Sequence, residues 1–539
     1  MQQDGLLVEL PGTDDLHAKL TAIVGAENIR TDDASRRLHS EDIWTPVGPV
    51  VALIVAPATV QELAAAVATA RAAGYAIAPR GAGMSYTGGY VPVADRTVSL
   101  DMSRMNRVVR INREDMTVTV EAGVTWKDLN EALAPHGLRT PFWGPMSGLS
   151  STIGGGISQL NAMFGAGHYG TSSESVVALT VVASDGSIIR TGARGPGGET
   201  PFYRHFGPDL TGIFCGDCGT LGIKAEITLR LITMPAVEDH ASFSFPSGEA
   251  MLEAMAEIAR QGLAAETCAF DPGLTVVRMK RASLTADVKT LSAVVAKEKN
   301  FGKGILAAAK IAMGGRNFIA PTDYPLHVIC EGRSKAAVDH DMAATRKIAA
   351  QFGGAEIENS IAKVIRAMPF PALNSMVGPT GEAWVPVHGV CSLSTAPQAF
   401  ADIQALYAEH KAEMDAHEIH TGFLFTTMSS NAIVVEPVFF WPQGWRPVHE
   451  SAVEPAHLAR LQQRPQNEAA TALVTSLRKA VVAIFERYGS GHFQIGRTYP
   501  YRESRDALSR NLLDGIKAIM DPDGVINPGV LGFPVKGNA

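Results

Sequence analysis

The sequence predicts an α+β protein, and three observations carry that reading. Residues 49 to 80 spell a strand, a helix and a second strand. Residues 176 to 192, VVALTVVASDGSIIRTG, read as a β-hairpin turning at Asp185-Gly186, because Asp-Gly supplies the left-handed turn that strand twist favours. Beyond about Pro235, helical runs alternate with β-runs, the texture of an antiparallel sheet with helices packed against it.

In the first unit, PVVALIVAP is a continuous apolar strand. Thr59 to Glu62 form a capping box, in which the Thr hydroxyl accepts an orphan N–H and the Glu reaches back. The helix LAAAVATARAA follows, stopped by Gly74, and AIAP is the second strand. TVSLDM, NRVVRIN and MTVTVEAG read as short strands, and Thr125 caps a helix, WKDLNEALAPHG. After Pro235, GEAMLEAMAEIARQG is an amphipathic helix, AWVPVHGVCSLS a strand, PQAFADIQALYAEHKAEMDAH a helix and HTGFLFTTMSSNAIVVEPVFFW two strands. LLDGIKAIMDPDGVINPGVLGF is a helix ended by a Pro/Gly turn. These runs divide the chain into 1–235 (core about 45–235), 236–500, and a last segment 501–539 that returns to the first.

Composition narrows the function. At 539 residues with 19% charged, the chain has ordinary globular composition and room for more than one domain. A net charge of -7 argues against a nucleic-acid partner, where a basic balance is expected. The N-terminal residues lack a basic flank and a long apolar run, so a signal peptide is not expected, and no stretch is apolar enough for a transmembrane helix. Five Cys make no disulfide framework, and Cys215 and Cys218 read as structural thiols rather than a redox or metal pair. A cytoplasmic protein is the expectation. Residues 291–315 are cationic and apolar, and they fit either a membrane-surface contact or a lid or subunit-contact helix with solvated Lys.

Three Gly-rich segments lie within the first 235 residues: PRGAGMSYTGGYVP (79–92), TIGGGISQLNAMFGAGHYG (152–170) and GDCGTLGI (216–223). Gly brings backbone N–H groups close to a phosphate with no Cβ in the way. The first loop follows the second strand and leads into strand and turn, which excludes a nicotinamide Rossmann fingerprint.

The order of PRGAGMSYTGGYVP, LDMSRMNRV, VEAGVTWKDLNEAL, STIGGGISQ, HYGTSSESVVALTVVASDG, GTLGI and DPDGVINPG resembles the vanillyl-alcohol oxidase / p-cresol methylhydroxylase (PCMH-type) flavoprotein superfamily. The resemblance covers roughly Pro49 to Pro235 and the last forty residues. It implies an FAD-binding domain of two α/β subdomains and a cap with an antiparallel sheet and flanking helices. It further implies that Pro79, Arg80, Gly81, Ala82, Gly83, Met84 and Ser85 wrap the FAD pyrophosphate. Thr152, Gly155, Ser158, Gly219, Gly222 and Ile223 would line the rest of the cofactor, and Asn527 with Pro528 would fold back onto the FAD domain.

Departures refine this. Where some relatives tether the flavin through a His in the first loop, this sequence has Met84, and near the other tether it has Glu382, Ala383 and, beyond, His388. Noncovalent FAD is therefore expected. The metal-binding HxGDxNxH run of 2-hydroxy-acid-oxidising relatives is absent, which argues against a metal-assisted hydroxy-acid site, and no metal site is expected. Phe493-Gln494 stand where phenol-oxidising relatives carry a Tyr-Arg pair.

The resemblance implies hydride transfer from a substrate C–H to flavin N5, with an aromatic alcohol or alkylphenol as the first expectation. A dehydrogenase of small 2-hydroxy acids is the alternative, and an electron-transfer subunit without turnover a third. His388, His420 and His492 are candidate bases, since His titrates near neutrality. Arg497 could fork an anionic group, and Tyr86, Tyr499 and Tyr501 could donate hydrogen bonds. His168, inside the second Gly cluster, reads as a structural or FAD-contact residue rather than a base. O2, a cytochrome or a quinone would take the electrons, and a homo-oligomer is expected.

Overall fold

The computed structural model describes residues 12–281, except 196 and 199, and residues 322–535. The 291–315 segment lies outside the described residues. The first sheet has four strands in the order Ile29–Arg30, Leu53–Val55, Thr97–Asp101 and Ala76–Arg80. Thr97–Asp101 slots between the two strands of the predicted strand–helix–strand unit, parallel to both. The crossover helix Val60–Ala72 begins as expected: Thr59 accepts the Glu62 amide at 3.1 Å. Glu62 in turn accepts the Ala58 amide at 2.8 Å. Such a cap stabilises a helix by about 1 kcal/mol. Gly74, at φ 73°, turns the chain out of that helix.

The second sheet is antiparallel: Val108–Asn112, Thr117–Glu121, Ile223–Arg230, Val176–Val182 and Ile188–Arg190. Its last two strands are the predicted hairpin, with Gly186 at φ 84° in the turn. The helices Trp126–Leu133 and Ile153–Gln159 pack beside it. One apolar core, from Leu16 through Trp126 and Leu179 to Ile526, joins both sheets. The C-terminal segment closes on this body, where Ile526 bridges Ile77 and the Asn527 amide donates to the Ile77 carbonyl at 2.9 Å.

The largest sheet among the described residues is antiparallel. Its order is Ala355–Ile357, Val237–Phe245, Tyr324–Gly332, Glu266–Phe270, His420–Met428, Ala432–Trp441 and Ala383–Pro386. Helices Gly248–Arg260, Lys335–Gln351, Ala396–Glu409 and Glu468–Arg487 pack against it around a second core.

Two expected elements are split. The run 383–394 forms two short strands, Ala383–Pro386 and Gly389–Ser392, both paired with Ala432–Trp441. Register runs on between them, but the His388 N–H turns away to Tyr499 Oη. The helix expected over 397–417 breaks at His410 into Ala396–Glu409 and Lys411–Ala416.

Candidate active site

The three Gly-rich segments converge on one cavity. It holds about 940 Å³ free of protein atoms, counting its open mouth. Pro79, Arg80, Gly81, Ala82, Gly83, Met84, Ser85, Thr152, Gly155, Ser158, Gly219 and Ile223 all face it. A Cβ on Gly81 would come within 2.5 Å of Thr152 Oγ1, so the first two segments touch only because residue 81 is Gly. Gly83, at φ 75°, stands against the Arg80 guanidinium. Among the described residues, the consecutive amides of Ala82, Gly83 and Met84 have no acceptor. Three free N–H groups in a Gly turn fit a diphosphate.

The third segment is organised by Asp217, which accepts the Gly219 amide at 2.9 Å and the Leu221 amide at 3.3 Å. It also forms a buried ion pair with Lys224, which reaches the cavity wall. Burial pushes the Asp217 carboxyl up, and Lys224 opposes that.

Two expected cofactor residues do not face the cavity. Gly222 is Gly because a Cβ would strike Val181 on the neighbouring strand. Asn527 braces the wall from behind, donating through Nδ2 to the Cys218 carbonyl at 2.9 Å. Sequence reasoning missed Pro145, Ser147, Lys224 and Gln494, which also line the space. The GPMSG turn was the one available signal for the first two. Cys215 and Cys218 are free thiols, each pushed up to about 12 by burial, and so chemically quiet.

Gln494 connects this cavity to a buried aromatic cluster under the cap. Its backbone is left-handed, at φ 45°, and its amide donates to the Gln159 carbonyl at 2.6 Å. Its Nε2 donates to Tyr86 Oη at 3.0 Å. The Tyr86 ring meets Trp384 edge-on at 5.8 Å and His388 at 5.9 Å.

His388, Tyr499 and His492 form a second cluster there, and its hydrogen bonds fix the protons. Tyr499 Oη accepts the His388 backbone N–H at 3.0 Å. Its own proton then points to His388 Nδ1, also 3.0 Å away. Neutral His388 therefore carries its ring proton on Nε2, which has no partner among the described residues. His492 stacks on Tyr499 at 4.0 Å. Its Nδ1 lies 2.7 Å from the His388 carbonyl, which can only accept, so the His492 lone pair sits on Nε2. Burial drives His388 down to about 3, helped by His492 and Arg478, and lowers His492 as well. Burial raises both Tyr86 and Tyr499, so all four groups are neutral at neutral pH.

Arg497 is not where an anionic substrate group would meet it. One terminal nitrogen donates to the carbonyls of Gly88, at 2.6 Å, and Val91, at 2.8 Å. The other donates to the Pro528 carbonyl at 2.8 Å. The planar fork is spent on tying the end of the first loop to the C-terminal turn. His420 is exposed at the start of its strand, and His168 lies on an outer groove with Tyr169 and Arg230. Tyr501 packs under Arg505 at 5.3 Å. Among the described residues, no three His, Cys, Asp or Glu side chains converge as a metal site would require, and no helix is long and apolar enough to cross a membrane.

Residues 51–192 match the model of an FAD binding domain. The mitochondrial D-lactate dehydrogenase [cytochrome] 1 of Saccharomyces cerevisiae is 34% identical over 196 residues, 36% of this chain and 32% of that protein. The glycolate oxidase subunit GlcD of Bacillus subtilis is 29% identical over 267 residues, 49% of this chain and 55% of that one. The chain thus spans between about a third and a half of the length of the curated relatives it matches. The crystal structure of p-cresol methylhydroxylase with substrate bound superimposes over 98% of this chain and 99% of that one, with a TM-score of 0.72 at 16% identity. The chain thus carries an FAD binding domain over residues 51–192 and shares its fold along its length with p-cresol methylhydroxylase.

Proposed function

We propose that this protein is an FAD-dependent dehydrogenase that oxidises the CH–OH group of a small 2-hydroxy acid. The carrying observation is the aromatic cluster that Gln494 ties to the cofactor cavity, with its two neutral imidazoles. Similarity to D-lactate dehydrogenase and to a glycolate oxidase subunit favours this substrate class over the aromatic alcohol or alkylphenol first expected. The Phe493-Gln494 pair points the same way, since Phe493 offers no phenol and Gln494 no charge.

Bound FAD supplies a two-electron acceptor for the hydride that leaves the substrate carbon. The chain's residues do the rest. The amides of Ala82 to Met84 hold the diphosphate. His388 Nε2–H and the Tyr86 hydroxyl, whose proton is unspent, donate to the substrate oxygens. His492 Nε2 accepts the hydroxyl proton. Trp384 and Phe493 keep water from the reacting carbon. Among the described residues the cavity wall has no His, its Tyr90 hydroxyl is spent on the Gly83 carbonyl, and its thiol, Cys218, is quiet, which supports noncovalent FAD. A cytochrome-type acceptor fits the name of the yeast relative.

Anaerobic mixing with D-lactate, glycolate and vanillyl alcohol separates the readings. Bleaching of the flavin by either hydroxy acid and not by vanillyl alcohol is expected, and the opposite result restores the aromatic substrate. No bleaching by any of them points to a flavin protein without turnover. Acid precipitation of the same preparation is expected to release the flavin into the supernatant; colour in the pellet overturns the noncovalent reading.

The proton step carries its own prediction. Removing a general base costs about 10² to 10⁴ in rate, so His492→Ala is expected to lose at least about a hundredfold in kcat/KM. Burial lowers the His492 pKa, so the reactive neutral form persists through pH 7 and is lost only below the usual His range. The wild-type rate should therefore be flat near neutrality and fall on the acid side. An acid limb that survives unchanged in His492→Ala removes His492 as the base.

A further inference from the structure

Arg478 has a role that nothing above assigns. It sits midway along the helix Glu468–Arg487, on the face that buries Val474, Leu477, Val481 and Phe485. An apolar residue would continue that stripe. Instead a guanidinium lies there, 5% exposed. It stacks over Trp44 at 4.1 Å, and one terminal nitrogen reaches the Tyr86 carbonyl at 3.4 Å. Its Nε has no partner, and no carboxylate among the described residues pairs with it. Asp42 is the nearby acid, but its oxygens already accept the amides of Trp44, Thr45 and Gly88 at 2.9, 2.5 and 2.6 Å. A buried charge without a partner is costly unless a ligand completes it.

The charge reaches the aromatic cluster at the Tyr86 carbonyl. Electrostatically, Arg478 acts on Tyr86, Tyr499 and His388, and Glu436 on the two phenols. Arg478 lowers the pKa of both phenols and of His388, and Glu436 raises the phenols. Arg497, the cation expected to hold a carboxylate, is committed elsewhere.

We propose that Arg478 is the positioning residue that makes the site select substrates bearing a negative charge, acting as a fixed buried cation beside Trp44 and Tyr86. This rests on the reading that a 2-hydroxy acid is oxidised here, and it identifies what that acid's carboxylate is drawn to. A purely structural Arg, bracing the helix against Trp44, would serve neutral and anionic ligands alike.

The test compares the holoenzyme with Arg478→Lys and Arg478→Met, each first checked for flavin content. Oxalate, a carboxylate that cannot be oxidised by hydride loss, is titrated against the visible flavin band. Lactamide serves as the neutral partner of lactate in steady-state assays. In Arg478→Met, oxalate binding and kcat/KM for lactate should each weaken at least tenfold, with lactamide turnover within twofold of wild type. Arg478→Lys, which keeps the charge and loses the fork, should retain most oxalate binding. Equal losses for lactate and lactamide, or a Lys variant that has lost oxalate binding, overturn the proposal. If no hydroxy acid reduces the wild type, the substrate reading fails alone, and the oxalate titration still decides. An oxalate response lost in Arg478→Met upholds the buried cation, and no response in wild type overturns it. Should Arg478→Met lack flavin, Arg478→Lys decides by keeping or losing the oxalate response.

Discussion

A Gly83→Val protein is expected to be purified without flavin. Gly83 sits at φ 75°, where a β-branched residue is an outlier. Holding such a residue there costs about 1–3 kcal/mol. The new side chain would also run into the Arg80 guanidinium, and Arg80 has little room to yield. It donates to the Leu38 carbonyl and lies 5.3 Å over the Tyr90 ring. Tyr90 Oη in turn donates to the Gly83 carbonyl at 2.7 Å. The loop must therefore move as a unit, and the free amides of Ala82 to Met84 move with it. A misplacement worth about 3 kcal/mol weakens cofactor binding roughly a hundredfold. The ratio of flavin to protein absorbance reads this directly. Gly262→Val is the control, since it places a β-branched residue at φ 62° in open space and Gly262 does not line the cavity. Full flavin occupancy in Gly83→Val would sink the assignment of this loop to the diphosphate.

That loop was legible because its requirement is written in residue type: a positive φ and a close approach both demand Gly. The same signal misread Gly222, where Gly serves strand packing against Val181 rather than the cofactor. Strands and capped helices were legible through periodicity and Thr caps, as at Thr59 and Thr125. Arginine roles were not. An Arg in sequence says nothing of its partners, so Arg497 looked like an anion fork and proved to be a carbonyl clamp. Arg478 passed unnoticed inside an amphipathic helix, because only tertiary packing shows that its face is the buried one. His388 stood inside what read as one strand, and it took the contact with Tyr499, 111 residues away, to lift its N–H off the ladder.

Arg366→Met is expected to destabilise the protein by about 3–5 kcal/mol, the cost of breaking a buried ion pair by removing one partner. Arg366 holds both oxygens of Glu266, at 2.8 and 2.9 Å, and also reaches Glu331 and, at 2.8 Å, Glu238. Arg139, from the FAD-binding body, pairs with the same Glu331. Glu266 meanwhile accepts the Gly165 amide at 2.9 Å. The cluster thus joins the cap sheet to the wall that carries the second Gly segment, and its loss should loosen both. Without Arg366, burial leaves Glu266 still further above the usual carboxylate range than it already stands. The folded variant then binds a proton that the unfolded chain does not, so its stability rises as the pH falls towards the ordinary Glu value. The defect should accordingly be larger at pH 8 than at pH 5.5 in thermal unfolding, and Arg366→Met/Glu266→Gln should recover much of it. A defect that is the same at both pH values, or a double variant no better than the single one, means that the loss is one of packing and not of uncompensated charge.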